Sequence, residues 1–394
     1  MNLKGNQLKP NSKLGSGRVR CYVLPYGNTR ITQITTYCSN IMGPGPTHIY
    51  LIENDELILM DTGMPTSLTK SIFRWSGESI PTEIANLPSD YSERQLFEGL
   101  KLAGHSIKDI DWLVISHGHL DHFSLGPSLL RHAKPRVVAH LFDTPEICNP
   151  WGMPRLWLSR RQQMLGTGMP MPQASNRSMI RAASQKEFDF SLQVDSPVFQ
   201  EGHSQTNGFQ VKGVQVKHLP GHSAGSIGLI VGDEGEEKIL LCGDVLLDPI
   251  TPHPDDLLLY LRTLEDLKRL ENIALVLPAH GKIIRDLRVR VTFLKEHHRR
   301  RLKLTYDACK KPRCVWDIAT MRGYFDIHVD TASFNPIASM EVLAHIDILK
   351  MTEGLFRFHM EEGICYYQNS GEPFDDVYDR VMRLVRDRSE VVLL

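Results

Sequence analysis

The strongest constraint on what this chain can fold into is a repeated local pattern, a short aliphatic run that stops abruptly at a polar cluster. It occurs in HIYLI (48–52), ELILMDTG (56–63), DWLVISHGHLDH (111–122) and RVVAH (136–140), then again in GVQVKHLPGH (213–222), EKILLCGD (237–244) and ALVLPAHG (274–281). Such brief apolar runs, bounded by Gly, Pro or Asp, read as strands buried in a sheet rather than as helices. Helical stretches lie between them. The clearest spans Asp255 to Leu270, where Leu257, Leu258, Leu261, Leu264 and Leu267 form an apolar face opposite Arg262, Glu265, Asp266 and Lys268. A mixed α/β body is expected over residues 20–285.

The polar clusters carry the chemistry. After one run, His117-Gly-His119-Leu-Asp121-His122 places three imidazoles and a carboxylate within six positions. That mixture suits zinc or iron better than magnesium or calcium. Later runs each deliver one more ligand type: His222, Asp244 and His280. Seven ligands exceed what one catalytic zinc needs, since it takes three or four and keeps a position for water. Two ions are therefore expected, with an aspartate able to bridge them and a shared hydroxide, the pattern of two-metal hydrolytic sites.

The ordered set DTG, SHGHLDH, LPGHS, CGD and PAHG along residues 61–281 resembles the metallo-β-lactamase superfamily. The resemblance implies an α+β fold, a four-layer αββα sandwich, and two divalent ions per chain, zinc ahead of iron or manganese. It implies that His117, His119 and His222 hold one ion and Asp121, His122 and His280 the other, with Asp244 bridging. Asp61 would orient a ligand or its loop. Members of the branch that includes β-lactamase-like ribonucleases and glyoxalase-II-like hydrolases often carry His directly after GD, where this chain has Val245. Two ions lower the pKa of a bridging water toward neutrality and polarise the attacked carbonyl or phosphoryl oxygen. Asp121 and Asp244 are the expected catalytic carboxylates, orienting that hydroxide and assisting proton transfer.

Two rival readings use the same residues. Gly221-His-Ser223-Ala-Gly225 matches the G-x-S-x-G nucleophile elbow, with Asp244 and His280 following in triad order. An elbow requires a helix next, whereas Ser226-Ile-Gly-Leu-Ile-Val231 reads as strand. Asp61-Thr-Gly63 imitates an aspartic-protease half-site but has no second copy. His48 reads as a structural histidine at a strand start.

Composition sets the outer limits. The 394 residues allow two or three domains, and 45 Lys+Arg against 46 Asp+Glu leave a net charge of −1, so no overall field recommends DNA or a membrane surface as partner. Seven scattered cysteines, never spaced C-x-x-C, argue against both a disulfide framework and a Cys-rich zinc site. Residues 1–19 read as a flexible tail rather than a secretory signal or anchor, which gives a cytoplasmic expectation. Residues 149–205 break the strand rhythm and read as an insertion rich in methionine, either a helical pair on the body or a substrate lid. Trp151, Trp157 and five arginines there (Arg155, Arg160, Arg161, Arg177 and Arg181) would suit an amphipathic substrate with an anionic part, such as an acyl thioester.

Residues 286–370 read as helix, helix, helix and hairpin, the order of a winged-helix-like domain, followed by a tail or helix over 371–394. This order further resembles the superfamily branch that includes glyoxalase-II-like hydrolases and β-lactamase-like ribonucleases. The leading expectation is hydrolysis of an ester, thioester or lactone-type carbonyl in a small molecule. The alternative is an endoribonuclease or phosphodiesterase acting on RNA, favoured by twelve Lys/Arg against three acids in 282–313. The candidate recognition helix, with Glu341, Asp347, Glu353, Glu361 and Glu362, has the wrong sign for a DNA-groove reader. A homodimer is a further expectation for this domain.

Overall fold

In the strands from residue 57 to 140, successive side chains are buried on opposite faces of one sheet. Ile58, Met60, Trp112, Val114 and Val138 point into one apolar cluster, while Leu59, Leu113, Val137 and Ala139 point into another. This is why those runs are aliphatic throughout rather than alternating with polar residues: parallel strands covered on both sides have no wet face.

The computed structural model describes residues 6–8, 19–23, 29–37, 44–76, 79–150, 164–170, 190–198 and 208–388. They divide between two compact units. Unit 1 comprises Met1–Gly152, Ala174–Pro252 and Leu270–Leu287. Its larger sheet runs in chain order: β1 (Asn6–Leu8), β2 (Val19–Val23), β3 (Arg30–Thr36), β4 (Thr47–Glu53), β5 (Leu57–Met60), β6 (Trp112–Val114), β7 (Arg136–His140) and β8 (Ser196–Val198). Pairing is antiparallel up to β5 and parallel from β5 to β8. The smaller sheet is ordered β12 (Ile273–Leu277), β11 (Lys238–Leu241), β10 (Ile227–Val231), β9 (Val214–His218).

The two sheets pack face to face. Ile31, Tyr50, Ile52, Trp112 and Val138 from the larger sheet share one core with Val214, Val216, Leu229, Leu241 and Leu277 from the smaller. Helices cover the larger sheet's other face through Leu68, Leu96, Leu100 and Phe123. Unit 1 thus supplies three of the four expected layers.

Unit 2 comprises Met153–Gln173, His253–Arg269 and Arg288–Leu394. It contains helices Leu257–Lys268, Val315–Ala319, Pro336–Met351 and Phe374–Arg386, together with nearly all of the 22-residue helix Leu287–Ala308. Its three-stranded sheet is ordered β13 (Arg313–Cys314), β15 (Ile364–Asn369), β14 (Leu355–Glu361). Asp256 caps the Leu257–Lys268 helix by accepting from the Leu259 N–H at 2.9 Å. That helix packs against Phe374–Arg386 and Pro336–Met351, and the buried Arg262 guanidinium donates to Leu384 O and Asp387 O at 3.0 and 2.6 Å, satisfying carbonyls at the end of the last helix.

Three boundaries differ from the sequence expectation. Within the expected tail, Asn6–Leu8 is a strand paired with Val19–Cys21, because an edge strand needs backbone pairing more than apolar side chains. Within the expected insertion, Ser196–Val198 pairs with β7 and completes the sheet, while Phe190, Leu192 and Val194 join its core. The polar flanks hide this strand: Asp195 is there to accept the Val137 N–H through its carboxylate at 2.9 Å. Finally, residues 253–269, expected in the body, group with unit 2, because the apolar helix face finds its partners there. Met164 and Met169 are buried; the remaining lid candidates, Trp151, Met153, Arg155, Trp157, Arg160, Arg161, Met171, Arg177, Met179 and Arg181, lie outside the described residues.

Candidate metal centre

Every sequence-predicted ligand sits just beyond the carboxyl end of a strand in unit 1. β6 runs into His117–His122, β9 into His222, β11 into Asp244 and β12 into His280, while β5 ends at Asp61. Backbone hydrogen bonds stitch these ends together: Asp61 N to Val114 O (2.8 Å), Thr62 N to His122 O (2.7 Å), Ile227 N to Ser116 O (2.8 Å) and Ala279 N to Gly243 O (2.9 Å). Gly243 turns with φ 52°, and a Cβ there would lie 3.0 Å from the Ser116 side chain, so the CGD turn can approach this closely only without a side chain.

Seven ligand candidates converge as two sets. In the first, His117 Nε2 and His119 Nδ1 are 2.9 Å apart, and His222 Nε2 lies 3.2 and 3.1 Å from them. Three nitrogens in one triangle, each with a single proton or a single lone pair, cannot all hydrogen-bond to one another. One cation satisfies all three, and tetrahedral zinc–nitrogen bonds of about 2.0–2.1 Å imply a ligand-to-ligand edge of about 3.3 Å. In the second set, His280 Nε2 lies 3.3 Å from Asp121 Oδ2 and 3.4 Å from His122 Nε2. Asp244 reaches both: its Oδ2 is 3.7 Å from His222 Nε2 and 3.6 Å from His122 Nε2, and its Oδ1 is 3.5 Å from His280 Nε2. Asp121 Oδ2 and Asp244 Oδ1 are buried oxygens without a hydrogen-bond donor among the described residues. Anionic oxygens left so are costly unless a cation faces them.

Second nitrogens fix the rings. His122 Nδ1 binds Asp61 Oδ2 at 2.9 Å, His117 Nδ1 binds Ser116 Oγ at 3.0 Å, and His280 Nδ1 donates to Pro46 O at 3.0 Å. Each of these three rings thereby points Nε2 at the centre. Asp61 also accepts from Ser116 N (2.7 Å) and Ser116 Oγ (2.8 Å), and it holds the left-handed φ of 65°. It therefore anchors both the His122 ring and the loop that begins at Ser116.

The electrostatics separate the sets. Burial, reinforced by the neighbouring His122, His119 and His222, holds the His117 ring well below the usual imidazole range. For His122 burial works the same way but is outweighed by Asp121, Asp244 and Asp61, which raise it well above that range; His280 is raised by Asp244 and Asp121 against its burial. Burial opposes ionisation of Asp121 and Asp244, yet the adjacent histidines keep both carboxyls below the ordinary carboxylate range. Burial pushes the neighbouring Cys242 thiol up to about 12, so it stays protonated and donates toward Leu246 O.

The rival motifs resolve geometrically. Residues after Ser223 form strand β10, and the Ser223 hydroxyl donates to Asp143 Oδ2 at 2.7 Å, which leaves no nucleophile elbow. His48 spans Thr35 Oγ1 and Gly281 O at 3.0 Å each, a structural tie. Sequence reading missed Ser116 and Asp143. A third His/Glu cluster, His297, His298 and Glu341, lies in unit 2; Glu341 is already paired with His253 at 3.1 Å and Arg301 adds positive charge beside the rings, so it reads as a buried polar network.

Comparison with known proteins now decides the family. A sequence profile of the Metallo-beta-lactamase superfamily matches residues 42–295. The chain belongs to that superfamily. It is similar to an N-acyl homoserine lactonase of a Bacillus species, 24% identical over 237 residues covering 57% of this chain and 75% of that one, and to an N-acyl homoserine lactonase of Bacillus cereus, 28% identical with the same coverage. Among solved structures, a metallo-beta-lactamase family protein from Thermus thermophilus superposes with a TM-score of 0.64 at 20% identity, covering 86% of this chain and 98% of that one. A beta-lactamase domain protein from Burkholderia ambifaria gives 0.60 at 19% identity, covering 86% and 92%. The chain is therefore a hydrolase of metallo-beta-lactamase fold with clustered ligands for divalent metal. Among the described residues, no helix is long and apolar enough to cross a membrane.

Proposed function

We propose that the chain is a dinuclear zinc hydrolase that opens an ester, thioester or lactone-type carbonyl of a small amphipathic substrate. The observation that carries this reading is the pair of converging ligand sets shared by Asp244, whose Oδ2 lies within 3.7 Å of His222 Nε2 and 3.6 Å of His122 Nε2. His117, His119 and His222 would hold one ion and Asp121, His122 and His280 the other. Bound there, such ions supply an activated water at neutral pH and polarise the attacked oxygen. Asp121 and Asp244 would orient that water through their buried oxygens and assist its proton transfer. Asp61 and Ser116 keep the rings aimed. The lactonase relatives favour a lactone over the other carbonyl compounds.

Cleavage of RNA or another phosphodiester is the second reading, favoured by the basic Leu287–Ala308 helix. Its support is weaker than the charge count, because much of that charge is neutralised within unit 2: Lys295 pairs with Glu265, Arg299 with Asp375 and Lys303 with Asp307, while Arg301 is buried over Tyr324 and Phe325. We read unit 2 as winged-helix-like from its helix, strand, helix, helix, hairpin order, and as a structural rather than DNA-reading module. The test is turnover of an acyl lactone, an acyl thioester, a chromogenic β-lactam, a bis-aryl phosphodiester and single-stranded RNA by the zinc-loaded chain. Lactone or thioester hydrolysis is expected. Turnover of RNA alone, lost on charge reversal at the exposed Arg299 and Arg300, would replace this reading by the second.

A further inference from the structure

Asp143 is 4% exposed and lies just after β7, outside every motif in the chain. Its carboxylate gathers three donors from the two loops that carry the three-histidine set. Oδ2 accepts the Gly118 N–H at 2.8 Å, from between His117 and His119, and the Ser223 O–H at 2.7 Å, from the residue after His222. Oδ1 accepts the Gly225 N–H at 2.7 Å. These partners are 25, 80 and 82 positions away in the chain. Local folding alone cannot set the His117–His119 loop against the His222 loop; a shared buried anion can.

The approach is too close to be incidental packing. A Cβ on Gly225 would sit 2.5 Å from Asp143 Oδ1 and 2.7 Å from its backbone nitrogen, so that position admits only glycine. Ser223 is further held by Ser226, whose hydroxyl lies 2.7 Å away, and this leaves the Ser223 proton committed to Asp143. A buried carboxylate with three donors is well satisfied, and charge-assisted hydrogen bonds are roughly twice as strong as neutral ones.

We propose that Asp143 is a positioning residue that clamps the two loops so that His117, His119 and His222 converge at the spacing of one ion. None of the clamp's three donors belongs to Asp121, His122 or His280, and the two rings of that set are oriented by Asp61 and Pro46 O. Asp143 therefore acts selectively: removing its charge weakens one ion and spares the other. The inference rests on the dinuclear reading above.

The experiment is a cobalt(II) and zinc titration of the full metal-free chain against a competing chelator, for the wild type, Asp143→Asn and Ser223→Ala. Loss of such an orienting partner typically costs 10- to 100-fold in metal affinity. Asp143→Asn keeps the shape but offers an amide N–H where Gly118 already donates. It is expected to lose 10- to 100-fold at one of two sites, with altered cobalt absorption from that site and unchanged affinity at the other. Ser223→Ala, which removes one donor and leaves the anion, is expected to shift the same site by a smaller factor. If Asp143→Asn does not fold, Ser223→Ala decides alone. Unchanged affinity at both sites in the folded variant, with only a lower melting temperature, would overturn the clamp while leaving the two-ion reading standing. A wild type that binds no metal would instead remove the dinuclear reading itself.

Discussion

His122 illustrates how one residue serves two masters. Its Nδ1 is bound to Asp61 at 2.9 Å and its Nε2 faces Asp121, Asp244 and His280. Removing Asp61 frees the ring to rotate and leaves the Ser116 donors without their acceptor. Asp61→Ala is therefore expected to weaken metal binding by about 10- to 100-fold, read by chelator competition. Asp244→Ala removes the carboxylate that lies within reach of both sets. It is expected to lose metal and hydrolysis together; turnover retained after metal stripping would move the chemistry elsewhere. The ligand types themselves were legible because six contiguous residues present four of them. Asp143 was not, since LFDTPE has no pattern and its partners are distant in sequence.

At the scale of elements, aliphatic runs revealed most of the strands because burial on both faces leaves no room for polar side chains. β1, β2, β3 and β8 fall outside those runs; β1 and β8 lie at the sheet's edges, where pairing of the backbone suffices. The helices of unit 2 raise a separate point, since they enclose His253 between Glu341 (3.1 Å) and Asp255 (3.6 Å). Burial opposes charge on this ring, but Asp255 and Glu341 prevail and push it up to about 9, while His253 and His345 hold Glu341 well below the carboxylate range. An unfolded histidine titrates near about 6.5. The folded value is higher, so the stabilisation is complete below about pH 6.5 and is lost as pH rises toward 9, by about 3 kcal/mol at most. Melting temperatures across that window should fall for the wild type, and His253→Gln should remove this part of the slope. Parallel slopes would show that the ion pair contributes nothing.

For the whole molecule, the two ligand sets predict stoichiometry. Metal analysis of protein purified without added metal should give close to two ions per chain, and one or none would undo the dinuclear assignment. Asp121 and Asp244 raise His122 well above the usual imidazole range and His280 above it, so protons compete with a cation for these two rings. Zinc uptake near pH 7 should release protons, measured as a dependence of binding enthalpy on the buffer's ionisation enthalpy. No dependence would mean that the rings are already neutral.

The near-neutral charge of 45 basic against 46 acidic residues gives the chain no overall field of one sign and says nothing of local patches. The Leu287–Ala308 helix is basic in sequence, yet several of its charges are paired or buried in the fold, a distinction that counting cannot make. By itself the sequence determined the chemistry available: which residues can ligate a metal, and that each follows a buried strand, since ligand type and hydrophobic period are local properties. Only the tertiary structure decided the convergence. The spacing of the three histidines, the reach of Asp244 across both sets and the clamp at Asp143 depend on backbone and side-chain contacts between segments far apart in the chain, 82 positions in the case of Asp143 and Gly225. Those contacts are fixed by how two sheets pack, a property that no short stretch of chain possesses.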